Sequence, residues 1–320
     1  MSRLSRREAL DKLMAETEAT DQFFEKPVSQ WRLALRRFRG RKSGMIGLFL
    51  ISALVLVAIF APLIAPYHPN EDLIGEEDVR RYQAPCVHVL GCPDDQPQHL
   101  MGIDGNVRDY FSRVVYGSRV SLQLGFFTVT LALFVGAGIG AVAGYLGGWF
   151  DNIVMRFMDV ILGFPSLLLA IAIVAVLGPG LRNALIAIAI VTMPGYARVM
   201  RAQVLAIKES DYVSASRALG SSPGQILIRR VIPNAMTPLV VLATLGVATA
   251  ILEAAGLSFL GLGAQPPLAE WGSMLATYRN QVFTAPHLVF YPGLAIMITV
   301  LGFNLMGDGL RDALDPSLNR

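Results

Sequence analysis

The chain has 320 residues, of which 53% are hydrophobic and 16% charged, and its formal net charge is +3. This composition is too apolar for a typical soluble protein, and several apolar runs reach the roughly 20 residues that cross a bilayer as a helix. We therefore expect an all-α membrane protein with about six transmembrane helices.

The distribution of charge predicts the orientation of the chain. Eleven Lys or Arg lie in residues 1–43, whereas residues 67–118 hold four basic and nine acidic residues. The positive-inside rule places the first segment in the cytoplasm and the second outside the cell membrane. Trp31, Leu35 and Phe38 alternate with arginines, which is typical of an interfacial helix on anionic lipid headgroups. Nucleic-acid binding is the disfavoured alternative, because a membrane span follows at once.

The predicted spans follow in order after this basic tail. The first, 44–66, is too long and starts too late for a cleaved signal peptide, so it stays as an anchor. The extracytoplasmic segment 67–118 leads to a core, 119–310, with five spans at about 121–145, 157–177, 185–204, 239–255 and 288–306. Residues 311–320 form a cytoplasmic tail, which leaves both termini inside. The third span is expected to bend at Phe164-Pro165, and the fourth at Pro194-Gly195.

The second predicted span is rich in glycine, which predicts close packing against a neighbouring helix. Its glycines are Gly125, Gly136, Gly138, Gly140 and Gly144.

A polar segment, 208–233, lies between the fourth and fifth spans. Ser210 is predicted to cap a short helix that ends at Gly220. Ser222-Pro223 is expected to start a second helix and Pro233 to end it. A narrow, partly apolar stripe of residues at helical spacing lies along one face of the first helix. Its members are Tyr212, Ala215, Ser216 and Leu219.

This segment resembles a known family. The stretch from Asp211 to Gly220, Asp-Tyr-Val at its start and Arg-Ala-Leu-Gly at its end, is followed by Ile-Pro-Asn around Pro233. It resembles the cytoplasmic coupling loop of type I ABC importer permeases, most closely the second permease subunit of the dipeptide/oligopeptide/nickel family. Ser216 stands where the family often has alanine.

Two outer motifs extend the resemblance. Residues 99–113 resemble the family signature Gly-Thr-Asp-x-x-Gly-Arg-Asp, with Ile103 in place of threonine and Val107 in place of glycine. Residues 253–272 are similar to the family again. Together the matches cover most of residues 30–318.

The resemblance implies a function and a set of partners. The chain would be the type I permease subunit that forms half of the translocation pathway for di- or oligopeptides or a related solute. Its partners would be a second homologous permease, two ATPase subunits and an extracytoplasmic substrate-binding protein. The coupling loop would dock into a groove of an ATPase. The residues implied are Glu209, Tyr212, Ala215, Ser216, Arg217, Leu219 and Gly220.

The chemistry of the sequence agrees with a subunit that is not an enzyme. No Gly-x-x-x-x-Gly-Lys-[Ser/Thr] phosphate loop occurs in it, so we expect ATP and Mg²⁺ on the partner ATPases and no cofactor on this chain. The predicted spans are nearly free of ionisable groups, which disfavours a stand-alone secondary transporter or channel. A membrane-anchored enzyme is disfavoured because all four histidines fall in outer segments.

Glu253 is the main ionisable exception within the predicted spans. We interpret it as a candidate outer gate or as a polar contact with the partner permease. A carboxylate that simply reaches interfacial water is the equal alternative.

Cys86 and Cys92 are the only cysteines, and both lie in the outer segment. An oxidising exterior favours a disulfide between two close cysteines. A soft-metal site with His88 and His99, or two free thiols, are the alternatives.

Overall fold

The computed structural model describes residues 30–314, without the side chains of residues 30–34 and Leu90. Helices dominate this range, and it contains isolated β-bridges but no β-strand. The basic tail before residue 30 and the tail from 315 lie outside the described residues, so the predictions made for them stay predictions.

The helices are numbered here in chain order. They are α1 (Gln30–Gly40), α2 (Lys42–Ile59), α3 (Ala61–Ile64), α4 (Tyr110–Leu146), α5 (Gly148–Leu162), α6 (Ser166–Leu177), α7 (Leu181–Lys208), α8 (Asp211–Ala218), α9 (Pro223–Ile226), α10 (Ile232–Phe259), α11 (Trp271–Tyr278) and α12 (His287–Leu314). Short 3-10 turns occupy His88–Leu90 and Arg279–Gln281.

Five helical segments of the described range are long and apolar enough to cross a membrane. They are α2, α4, α7, α12 and the continuous stretch Pro223–Phe259. The predicted third span is instead a broken pair, α5 and α6, bent by 93°. Pro165 has no N–H and directly precedes α6, so the bend expected at Phe164-Pro165 is confirmed and is sharper than a kink.

The start of α4 differs from the prediction. α4 begins at Tyr110, before the predicted 121, because the Asp109 side chain accepts a hydrogen bond from the Ser112 N–H and caps the helix. The helix α7 runs through Pro194, and the bend expected at Pro194-Gly195 stays a prediction.

The prediction that Pro233 ends a helix is wrong. Leu227–Val231 form a π-helical turn, after which Pro233 lies in the first turn of α10. A proline is tolerated there because the first-turn N–H groups have no partner within their own helix. The segment 208–233 therefore continues into the fifth predicted span without a stop.

The core is built around α10, which packs on α4, α7 and α12. The contact between α4 and α7 depends on glycine, as predicted: a Cβ at Gly136 would lie 2.5 Å from the Met193 carbonyl oxygen, and one at Gly140 would overlap the backbone of Ala197. Gly138 faces the other way, and a Cβ there would meet nothing within 4 Å. The small residues thus form a seam on one face of α4.

The outer segment folds over the end of α4. Leu73, Ile103 and Val107 form a small apolar cluster. Val107 has a φ of 58°, a left-handed conformation that favours glycine, which is the residue of the resembling signature at this position.

Candidate ATPase-coupling site and outer-face network

The segment 208–233 is attached to the core by its apolar residues. Val213 of α8 is fully buried, as are Ile226 of α9 and Val231 of the π-helical turn, and all three belong to the central core cluster. Sequence reasoning missed Val213. It is the one aliphatic residue of α8 larger than alanine, and this could have indicated the inward face.

The predicted stripe lies on the side of α8 that faces away from the chain. Tyr212 is 44% exposed and Leu219 is 87% exposed, although both are large and apolar. Ala215 is also exposed, and Ser216 is half-buried with its hydroxyl donating to the Tyr212 carbonyl. Exposed apolar side chains beside small residues form a surface that a partner chain can cover closely.

The remaining members of the predicted site flank this surface. Glu209 and Arg217 are exposed at the two ends of α8. The structure thus brings the seven residues predicted for coupling together on one short helix and its ends.

Two of the three predicted capping features are present. Gly220 has a φ of 82°, and a Cβ there would meet nothing within 4 Å, so a substitution would cost only backbone strain, about 1–2 kcal/mol. Ser222 accepts from the Gln225 N–H at 3.4 Å. Ser210 stands at the cap position, but its hydroxyl donates to the Ile207 carbonyl at 2.6 Å, and so the predicted cap hydrogen bond is not formed.

Glu253 lies on α10 beside the break between α5 and α6. Its carboxylate contacts Ser166, the first residue of α6. One carboxylate oxygen is buried without a hydrogen-bond partner among the described residues. Glu253 is therefore placed beside a helix break and stays partly exposed. Its role as an outer gate or as a contact with the partner permease stays a prediction, as does the alternative that it reaches interfacial water.

The chain is similar to known membrane transport proteins. A family described as "Binding-protein-dependent transport system inner membrane component" matches residues 136–320, and "N-terminal TM domain of oligopeptide transport permease C" matches residues 29–85. The chain is 47% identical, over 291 residues, to the dipeptide transport system permease protein DppC of Alkalihalophilus pseudofirmus, with 91% of each chain covered. The chain belongs to the dipeptide/oligopeptide family of ABC importer permeases.

Further comparisons agree with this family. The permease is 43% identical, over 288 residues, to the glutathione transport system permease protein GsiD of Escherichia coli, covering 90% of this chain and 91% of that protein. A chain of the MetNI methionine ABC transporter in an inward-facing conformation matches with a TM-score of 0.53 and 20% identity, covering 63% of this chain and 96% of that one. That likeness shows the fold, a type I importer permease.

Family membership settles several predictions. Permeases of this family are non-catalytic, multi-pass membrane subunits, and ATP is hydrolysed on separate subunits. They work with a second permease, ATPases and a substrate-binding protein. The alternative of a stand-alone transporter or channel is not favoured.

Within residues 67–118, a buried histidine joins two carboxylates. His99 is 1% exposed; its Nδ1 lies 2.8 Å from Asp109 Oδ1 and its Nε2 lies 3.0 Å from Glu77 Oε2. A neutral imidazole has a single N–H, so both hydrogen bonds form only when the ring is protonated. Since Asp109 also caps α4, the network ties the outer segment to that helix.

The charge of His99 predicts a pH dependence of stability. Burial alone lowers the pKa of His99, but hydrogen bonds and charges from Asp109 and Glu77 outweigh it, so the pKa is raised. The resulting stabilisation is complete below the unfolded-state pKa of about 6.5 and is lost as pH rises through the folded-state pKa. We expect His99→Gln to lower the melting temperature more at pH 5.5 than at pH 9. Equal losses at the two pH values would contradict this assignment.

Cys86 and Cys92 are joined by a disulfide in the structure, with their Cα atoms 5.4 Å apart. The alternative metal cluster is not assembled among the described residues: His99 bonds carboxylates at both nitrogens, and His88 Nε2 bonds the Gln96 carbonyl. The oxidation state in the cell stays a prediction, which peptide mapping without reductant tests.

Proposed function

We propose that this permease forms half of the translocation pathway of an importer for dipeptides and other small peptides. The observation that carries the proposal is the outward-facing surface of α8, anchored from behind by Val213. In this proposal the segment 208–233 seats the permease on an ATPase, where Tyr212 and Leu219 fill apolar pockets. ATP and Mg²⁺ are bound by two ATPase subunits and not by this chain.

The substrate class rests on the relatives. One relative is described as a dipeptide permease and another as a glutathione permease, and glutathione is itself a small peptide. Both descriptions favour a short peptide as the solute. A substrate-binding protein outside the membrane then selects among such peptides, and this chain supplies the passage.

Uptake measurements test this substrate class. Cells that lack this chain are expected to lose uptake of a radiolabelled dipeptide, and the restored chain is expected to return it. Inhibition of this uptake by excess unlabelled glutathione measures whether the importer also accepts that peptide. Unchanged dipeptide uptake in the deleted strain, with loss of nickel uptake instead, would overturn the peptide assignment.

We also propose that the permease lies in the inner membrane with both termini in the cytoplasm. The distribution of basic residues supports this orientation. Single cysteines introduced at Ser29 and at Asn106, in a background without Cys86 and Cys92, report it through an impermeant thiol reagent applied to intact cells. Asn106 is exposed in the outer segment, and only that site is expected to react. Labelling at Ser29 alone would invert the topology.

A further inference from the structure

Two ion pairs fasten α5 to the cytoplasmic part of α7. Arg201 holds Asp151 through two hydrogen bonds, Nε to Oδ1 and Nη2 to Oδ2, each 2.6 Å long. Arg198 Nη2 lies 2.6 Å from Asp159 Oδ1, nearer the surface. The Asp151 side chain is only 7% exposed, so the first pair is the more desolvated of the two. A bidentate arginine–carboxylate pair fixes both the distance and the orientation of the two helices.

The ion pair with Asp151 involves one of the few buried residues of α5. Of the fifteen residues of α5, only Asp151 and Met158 are buried. Large apolar side chains such as Trp149 and Phe157 are exposed on the described chain. The helix α5 packs against both α4 and α7, and its buried Asp151 joins it to α7 through Arg201.

The other end of α7 leads directly into the coupling segment. Arg201 lies two turns before Lys208, the last residue of α7, and α8 begins three residues later at Asp211. Lys208 Nζ donates to the Gly144 carbonyl at 3.2 Å, and Val213 is packed into the core. A displacement of α8 is thus carried into the inner end of α7 through the chain and through buried packing.

The helix α5 in turn ends at the break in the third span. The 93° bend lies at 163–165, and α6 begins beyond it at Ser166, against Glu253. The connection from α8 through α7 and α5 therefore reaches a discontinuous helix whose outer half touches a carboxylate on α10.

We propose that Asp151 and Arg201 are positioning residues that transmit the movement of the ATPase-facing segment to the broken span. The inference rests on the proposed function, because it takes α8 as the ATPase contact. The pair acts as a fixed link: opening it would leave a buried charge without a partner, so α5 moves together with α7. Movement is taken up at 163–165, where the backbone hydrogen-bond ladder is already interrupted.

The test uses the complete importer, with its second permease, ATPases and binding protein, reconstituted in liposomes. Asp151→Asn is expected to leave ATPase co-purification intact and ATP hydrolysis within about twofold of the wild type. The amount of peptide taken up per ATP hydrolysed is expected to fall at least tenfold. The charge-exchanged double variant Asp151→Arg, Arg201→Asp is expected to recover a substantial part of this ratio.

Two further variants keep the test decisive. Asp312→Asn removes an exposed pair with Arg41, 3.7 Å long, that touches neither α5 nor α7, and its uptake ratio is expected to stay unchanged. Should Asp151→Asn fail to fold, Arg201→Lys is used instead: it keeps the positive charge but loses the bidentate geometry of the pair, and a threefold or larger fall in the ratio is expected. An unchanged ratio in the variant that folds overturns the proposal.

The outcome separates this inference from the proposed function. A parallel loss of ATPase co-purification and uptake in Asp151→Asn would make the pair a structural element and overturn a role in transmission. If ATPase binding does not depend on α8, the variants of α8 itself will show this, because they will retain their ATPases.

Discussion

Ala215→Glu is expected to abolish transport while the permease is still made and inserted. Ala215 is exposed on α8 between Tyr212 and Leu219, so the change leaves the core intact. In the assembled importer the new carboxylate would be buried against an ATPase without a partner, at a cost of about 3–5 kcal/mol. Such a cost weakens association by roughly 150- to 5,000-fold. Co-purification of the ATPases and peptide uptake measure the two effects.

Ser221→Glu is the matched control for this variant. It adds the same charge six residues away, at the glycine corner beyond α8, and is expected to retain its ATPases. Normal uptake by Ala215→Glu with its ATPases still bound would mean that 208–233 is not the coupling element.

Gly140→Leu is expected to prevent the stable packing of α4 on α7. A side chain at this position meets the backbone of Ala197, which cannot rotate away as a side chain could. Overpacking of a tight contact costs about 1–3 kcal/mol, and more where the backbone itself must move. The yield of folded protein after mild detergent extraction, and its melting temperature, are both expected to fall strongly.

Gly138→Leu provides the comparison two residues away on the same helix. It makes the same change of helix propensity and of hydrophobicity but points into open space. We expect near wild-type yield and melting temperature. Similar losses in both variants would show that flexibility of α4, and not close packing on α7, is what its glycines provide.

Local signals in the sequence predicted much of the fold. Long apolar runs identified the spans, Pro165 identified the bend, and Gly220 identified the end of α8, since each effect depends on neighbouring residues. The prediction that Pro233 ends a helix failed, although it also rested on a local signal. The rule that proline stops a helix does not anticipate a preceding π-helical turn that brings proline into a tolerated position.

The contacts that were not predicted join residues that are distant in sequence. Asp151 and Arg201 are fifty residues apart, and His99 meets Glu77 across twenty-two. No spacing rule joins such residues, because only the packing of α5 on α7 or the path of the outer segment brings them together. The inward face of α8 was missed for the same reason: burial of Val213 is decided by the helices behind it.

The central claim is that the exposed face of α8 contacts an ATPase, and site-specific photo-crosslinking in native membranes tests it most directly. A photoreactive residue placed at Leu219 is expected to form an adduct with an ATPase subunit, identified by mass spectrometry. The same residue at Phe283, which is exposed between α11 and α12 and lies outside in the proposed topology, is expected to form no such adduct. Crosslinking from Leu219 only to lipid, or to no ATPase at all, would contradict the account.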